Sequence, residues 1–163
     1  PPPLHREGGC LFLSPAGIMD ETEKSLFELV GGRPTLEKVH KIFYDKLYVH
    51  PWLKHFFAGI DQKHIENQQT DFMVSNMGGA KLYTGGLPKP VHKHMNIPEE
   101  LFDIRGKILR ECILECGVTI ELAERWIRID NAFKKAITKK NISDCEKRFN
   151  TDSILDFPKP SQL

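Results

Sequence analysis

Apolar residues recur at helical spacing through most of the chain. Leu26, Leu29 and Val30 form a brief stripe that Gly31-Gly32 stops, because glycine enters the left-handed backbone region freely. Pro34-Thr35 opens a second helix, in which Val39, Ile42, Phe43 and Leu47 return every three or four residues until Pro51. The stretch Trp52-Leu53-Lys54-His55-Phe56-Phe57, closed by Gly59, is too apolar for a solvent loop. It predicts an aromatic corner lying under something large. Asp61 suits the N-cap of a third helix running to about Met77. The apolar set of that helix (Ile65, Phe72, Met73 and Met77) is thin, and Gln68 and Gln69 interrupt its inner face. Gly78-Gly79 breaks it, and Tyr83 to Pro88 reads as a loop. His92 follows in a short helical turn. Pro98 fits the first position of a helix with a wide apolar face, Leu101 to Cys116, ended by Gly117. Thr119 caps a last long helix with Leu122, Trp126, Ile129, Phe133 and Ile137 inward. Lys134, Lys135, Lys139 and Lys140 crowd its end, where they suit the helix dipole. No strand-like alternation and no internal repeat occurs, so the pattern predicts an all-α fold.

The period is absent from residues 1–20 and fades beyond Asn141, which divides the chain into three parts. Residues 1–20 are expected as an N-terminal extension, 21–140 as one helical domain and 141–163 as a loose C-terminal extension. Cys10-Leu11-Phe12-Leu13, Phe149, Ile154 and Phe157 are the tail residues able to dock on it. One domain agrees with a length of 163 residues, enough to bury a core without staples. A net charge of +1, with both signs interspersed, argues against a nucleic-acid footprint. No apolar run has the length of a membrane span, and the N-terminus lacks a basic-then-apolar signal segment. The expected location is therefore the cytoplasm. Cys112 and Cys116 sit within an apolar helical pattern, so the four cysteines are expected as reduced thiols.

Candidate chemistry is sparse. No zinc-ligand spacing, nucleophile elbow or phosphate-binding glycine loop occurs. Five of the seven histidines (His5, His40, His50, His55 and His64) stand among polar neighbours and are expected at the surface, with His55 and His64 able to reach a pocket. His92 and His94 differ in their context. Tyr44 lies beside Phe43 on an amphipathic helix, and a buried phenol needs a partner for its hydroxyl. Gln68 and Gln69 occupy a face that should be apolar, and buried amides cost energy unless hydrogen-bonded. A tyrosine and a glutamine from two helices, meeting near a histidine from a third element, would form a polar cap over a small ligand. The alternative is a Tyr–Gln pair satisfying itself in a plain core.

Together these residues resemble a known family. Leu29-Val30-Gly31-Gly32, Phe43-Tyr44, Leu53 to Phe57, Gln69 with Phe72, Gly78-Gly79, Tyr83-Thr84-Gly85, Val91-His92 and Ile97 with Phe102 are similar, in order and spacing, to group I truncated haemoglobins. The resemblance covers about residues 25–139 and leaves out both tails. It implies a two-over-two helical sandwich around haem b, with residues 21–140 as the globin domain. It also implies His92 as the ligand to iron. Tyr44, Gln69 and Gln68 correspond to residues stabilising the bound ligand. Phe57, Ile65, Phe72, Tyr83, Ile97 and Phe102 correspond to residues around the haem, with His94 near a haem propionate. Gln68 stands where some relatives carry a histidine or lysine that binds iron directly, so its amide removes that ligand.

The implied activity is binding of O₂, NO and CO at a five-coordinate haem, with conversion of nitric oxide to nitrate as a reaction the site would support. Dioxygen takes on partial negative charge at ferrous haem, and each donor holding it contributes roughly 1 kcal/mol net. Sustained turnover would need a reductase as partner. Two other readings stay open: a haem-based gas or redox sensor acting through a partner protein, and a haem-free helical interaction module.

Overall fold

The computed structural model describes residues 23–163, so expectations for Cys10, His5 and the rest of residues 1–20 lie outside the described residues. Among the described residues seven α-helices follow one another: α1 (Leu26–Leu29), α2 (Gly32–Leu47), α3 (Gln62–Asn76), α4 (Pro88–His92), α5 (Glu99–Glu115), α6 (Ile120–Asn131) and α7 (Lys134–Ile137). A 3-10 turn spans Leu53–Phe57 and another Ile142–Asp144. Among the described residues there is no strand, only an isolated parallel bridge between Met95 and Leu155.

Two helix pairs, α2 with α3 and α5 with α6, are stacked through contacts of α2 with α5. Leu36, Val39, Phe43 and Leu47 of α2 are all fully buried, as their spacing requires. Ser25 and Glu28 form a reciprocal capping box that starts α1. Asp61 caps α3 by accepting from the His64 backbone N–H at 2.9 Å. Gly79 allows α1 to approach the end of α3. A Cβ there would lie 2.6 Å from Val74 Cγ1 and 3.1 Å from the Phe27 ring.

Helix α3 explains its own weak amphipathicity, because it has two working faces. Thr70, Met73, Val74 and Met77 are buried in the protein, while Ile65, Gln68, Gln69 and Phe72 turn to a cavity. The expected single helix after Thr119 is instead two. The chain turns at Ala132-Phe133, with no glycine or proline to mark the break.

Two expectations are corrected. His40 is not at the surface but fully buried. It sits on the α2 stripe, one turn after Leu36, with Nδ1 2.8 Å from Thr70 Oγ1 and its ring edge on Trp126. The C-terminal segment is not loose. The Leu155 N–H donates to the His94 carbonyl and the Asn96 N–H to the Leu155 carbonyl, each at 2.8 Å. The Trp52 indole donates to the Phe157 carbonyl at 2.9 Å, and the Phe157 ring lies against Phe56 and His55. Phe149 remains exposed.

Candidate functional site

A cavity of ≈ 400 Å³ lies between the helix pairs, within the range of small-molecule and cofactor sites. Its walls are mainly apolar and aromatic. Of the residues proposed from the sequence, Tyr44, Phe57, Ile65, Gln68, Gln69, Phe72, Tyr83, His92, Ile97 and Phe102 all line it. His94 does not: its side chain is buried elsewhere, with Nδ1 lacking a hydrogen-bond partner. Its position two residues past His92 turns it away from the cavity, under the C-terminal segment that its carbonyl binds.

His92 stands at the end of α4. Pro88 opens this one-turn helix, and its carbonyl is 2.7 Å from His92 Nδ1. A carbonyl only accepts, so Nδ1 carries the proton and Nε2 presents a lone pair. Burial pushes the ring down to about 4, against the carbonyl bond that favours the charged form, so the imidazole is neutral near pH 7. A neutral imidazole, oriented by a backbone acceptor and facing an apolar cavity, is equipped to bind a metal through Nε2. Lys139 steadies this corner. Its Nζ donates to the carbonyls of His92 at 3.0 Å, Met95 at 3.1 Å and Ile137 at 2.9 Å. Beyond the helix-end role expected of it, Lys139 ties the end of α4 to the end of α7.

Tyr44 approaches the cavity from α2. The rings of Phe43, Tyr48 and Phe57 meet it edge-on, at centroid distances of 5.1, 6.5 and 5.9 Å. Its hydroxyl has no hydrogen-bond partner among the described residues, and burial pushes the phenol well above its ordinary value. It therefore remains an O–H donor near neutral pH. Gln69 and the more exposed Gln68 stand on the adjoining face of α3. Tyr83 is fixed by donating its hydroxyl to the Gly86 carbonyl at 2.7 Å. Gly85 makes that possible, since a Cβ there would lie 2.4 Å from the Tyr83 hydroxyl.

Sequence reasoning missed three charged residues on the cavity wall. Arg105 Nη1 donates to both carboxylate oxygens of Asp130, at 3.0 and 2.9 Å, and its guanidinium lies over the rings of Phe43 and Phe102. The signal was available: Arg105 interrupts the apolar face of α5 four residues after Leu101, and Asp130 follows Trp126 by four on α6. Arg148 reaches the wall from the C-terminal segment, where no period announced it.

The model for the bacterial-like globin family matches residues 25–144. The chain belongs to that family. Within it, this globin is similar to the group 1 truncated hemoglobin of Tetrahymena pyriformis, 33% identical over 96 residues, or 59% of this chain and 79% of the relative. It is also similar to that of Mycolicibacterium paratuberculosis, 29% identical over 97 residues, or 60% and 71%. The crystal structure of the ferric T. pyriformis protein superposes with a TM-score of 0.68 at 29% identity, covering 72% of this chain and all of the other. These likenesses make this a group I truncated globin with the two-over-two fold, and the globin family implies haem-based ligand binding. The solved T. pyriformis forms include one tyrosine-to-phenylalanine and two glutamine-to-glutamate variants.

No described helix is long and apolar enough to cross a membrane. Cys112, Cys116 and Cys145 are free, and burial pushes each thiol above its ordinary value, which disfavours the reactive thiolate.

Proposed function

We propose that this globin holds haem b through His92 and binds O₂, with NO and CO as further ligands. One observation carries the reading: a neutral imidazole with a free Nε2 and a phenol with an uncommitted hydroxyl face the same apolar cavity from different elements. The residues fit the group. The imidazole supplies a metal ligand, the aromatic walls suit a flat macrocycle, and the phenol and amides supply donors.

When bound, haem would supply a ferrous centre able to bind diatomic ligands. The chain's own residues do the rest. His92 is aimed by the Pro88 carbonyl. Tyr44 and Gln69 donate hydrogen bonds toward the ligand, with Gln68 nearer the mouth. Phe57, Ile65, Phe72, Tyr83, Ile97 and Phe102 enclose the macrocycle. The T. pyriformis variants support the pairing of Tyr44 with Gln69. The altered tyrosine and the later of the two altered glutamines are separated there by the same number of residues as here, and the earlier glutamine corresponds to Ile65.

Donors that slow the release of O₂ suit a site that keeps it for reaction with nitric oxide. In that conversion O₂, NO and one electron give nitrate, and a reductase, as yet unidentified, restores the electron. The proposed setting is the cytoplasm. Mixing the oxygenated protein with nitric oxide tests the reaction. Rapid, stoichiometric nitrate with conversion to the ferric form is expected; slow reaction without nitrate would overturn it and favour the sensor reading.

A further inference from the structure

Residues beyond 144 lie outside the family match, yet they are anchored beside the proposed haem ligand. The Glu146 N–H donates to the Lys93 carbonyl at 2.8 Å, immediately after His92. The bonds of Leu155 with His94 and Asn96 continue the attachment along the same corner. The Asn96 amide donates to Asp156 Oδ1 at 2.9 Å, and Lys159 pairs with Glu100. This segment therefore lies against the backbone that follows His92.

Arg148 is the residue of this segment that reaches the cavity. Its side chain is locked. Nε donates to Asp152 Oδ2 at 2.9 Å and Nη2 to Oδ1 at 3.1 Å, while the Arg148 backbone N–H also binds Oδ2 at 2.9 Å. A two-point guanidinium–carboxylate fork fixes direction as well as distance. Nη1 is left with no acceptor among the described residues. Lys139 has all three ammonium protons directed to carbonyls, and the charge of Arg105 is paired with Asp130, itself on the cavity wall, whereas Arg148 is held from outside the cavity. An arginine held rigidly at an apolar cavity, with a donor to spare, is suited to an acidic group on the molecule within.

We propose that the C-terminal segment is a clasp that retains haem, with Arg148 binding a haem carboxylate through its free Nη1. This rests on the haem reading above and moves the propionate contact, expected from the sequence at His94, to a residue outside the family match. Asp152 is a positioning residue, and its carboxylate, which the Arg148 bonds hold down to about 2, is ionised at every pH of interest.

The full chain is loaded with haemin or with its dimethyl ester, in which both carboxylates are blocked. Haem loss to an excess of a haem-scavenging apoglobin is followed by absorbance. Arg148→Gln should speed loss of haemin about fivefold, the size expected of a partly exposed charge-assisted bond. It should leave loss of the ester unchanged, and Arg148→Lys should restore part of the retention. Equal acceleration with both cofactors would overturn the carboxylate contact and make Arg148 a fastener of the segment only. No acceleration with either would overturn the clasp. Failure of the parent protein to take up haemin at all would overturn the haem reading and this inference together, an outcome distinct from the other two.

Discussion

Replacing Tyr44 by phenylalanine removes one hydroxyl and little else. The ring is 4% exposed and is held by edge contacts with three neighbouring aromatics, so the phenylalanine ring has the same seat. The lost group is a donor without a protein partner, and its raised pKa keeps the proton in place at neutral pH. A hydrogen bond to a ligand with partial negative charge contributes roughly 1–1.5 kcal/mol. At 1.4 kcal/mol per factor of ten, oxygen should leave Tyr44→Phe about five to ten times faster. Carbon monoxide gains little charge and supplies the control: its release should change less than about twofold, since its hydrogen bond is weaker. The haem-free variant should be about as stable as the parent, because the lost hydroxyl faces the cavity and takes no protein partner with it. Stopped-flow displacement of O₂ by CO and of CO by NO gives both rates. Unaltered oxygen release, or equal acceleration of both ligands, would refute the argument: the first denies the bond, and the second points to a widened pocket.

Two further predictions concern buried titratable side chains. His40 is neutral in the fold, since burial lowers it from its ordinary 6.5 to about 3. The unfolded chain thus binds a proton first, so its contribution is present above pH 6.5 and is lost as pH falls toward 3. In urea titrations of the haem-free protein, His40→Leu should flatten the decline between pH 6.5 and 4; parallel slopes would refute this. Asp130→Ala leaves the guanidinium of Arg105 without its carboxylate. With Arg105 21% exposed, the cost should be roughly 2–3 kcal/mol, below that of a fully enclosed pair. The double variant Arg105→Met/Asp130→Leu should recover most of it, and a double variant no more stable than the single one would refute the pairing.

Much of the molecule is legible because its signals are local. Asp61, the Gly31-Gly32 and Gly78-Gly79 pairs and Thr119 mark boundaries through backbone chemistry that acts within a few residues. The cavity face of α3 is also written in the spacing of Ile65, Gln68, Gln69 and Phe72, since three- and four-residue steps share a helix face. His40, Arg105 and Asp130 were obscured by their polarity. Each lies in register with an apolar stripe, and reading by register would have placed them inside. Of the docking of residues 145–163, only the packing of Phe157 was legible, from its apolar character in a polar tail; the rest was not. It depends mainly on backbone bonds to Lys93, His94 and Asn96, which carry no side-chain signature. The break between α6 and α7 likewise has no residue to announce it.

The grip of His92 on iron is tested most directly by the visible absorption spectrum of the haemin-loaded protein. His92→Gly should lose the parent's Soret and CO-form bands together with tight haem retention, and added imidazole should restore them by filling the space left by the ring. A glycine variant with the parent's haem content and spectrum, indifferent to imidazole, would contradict the assignment.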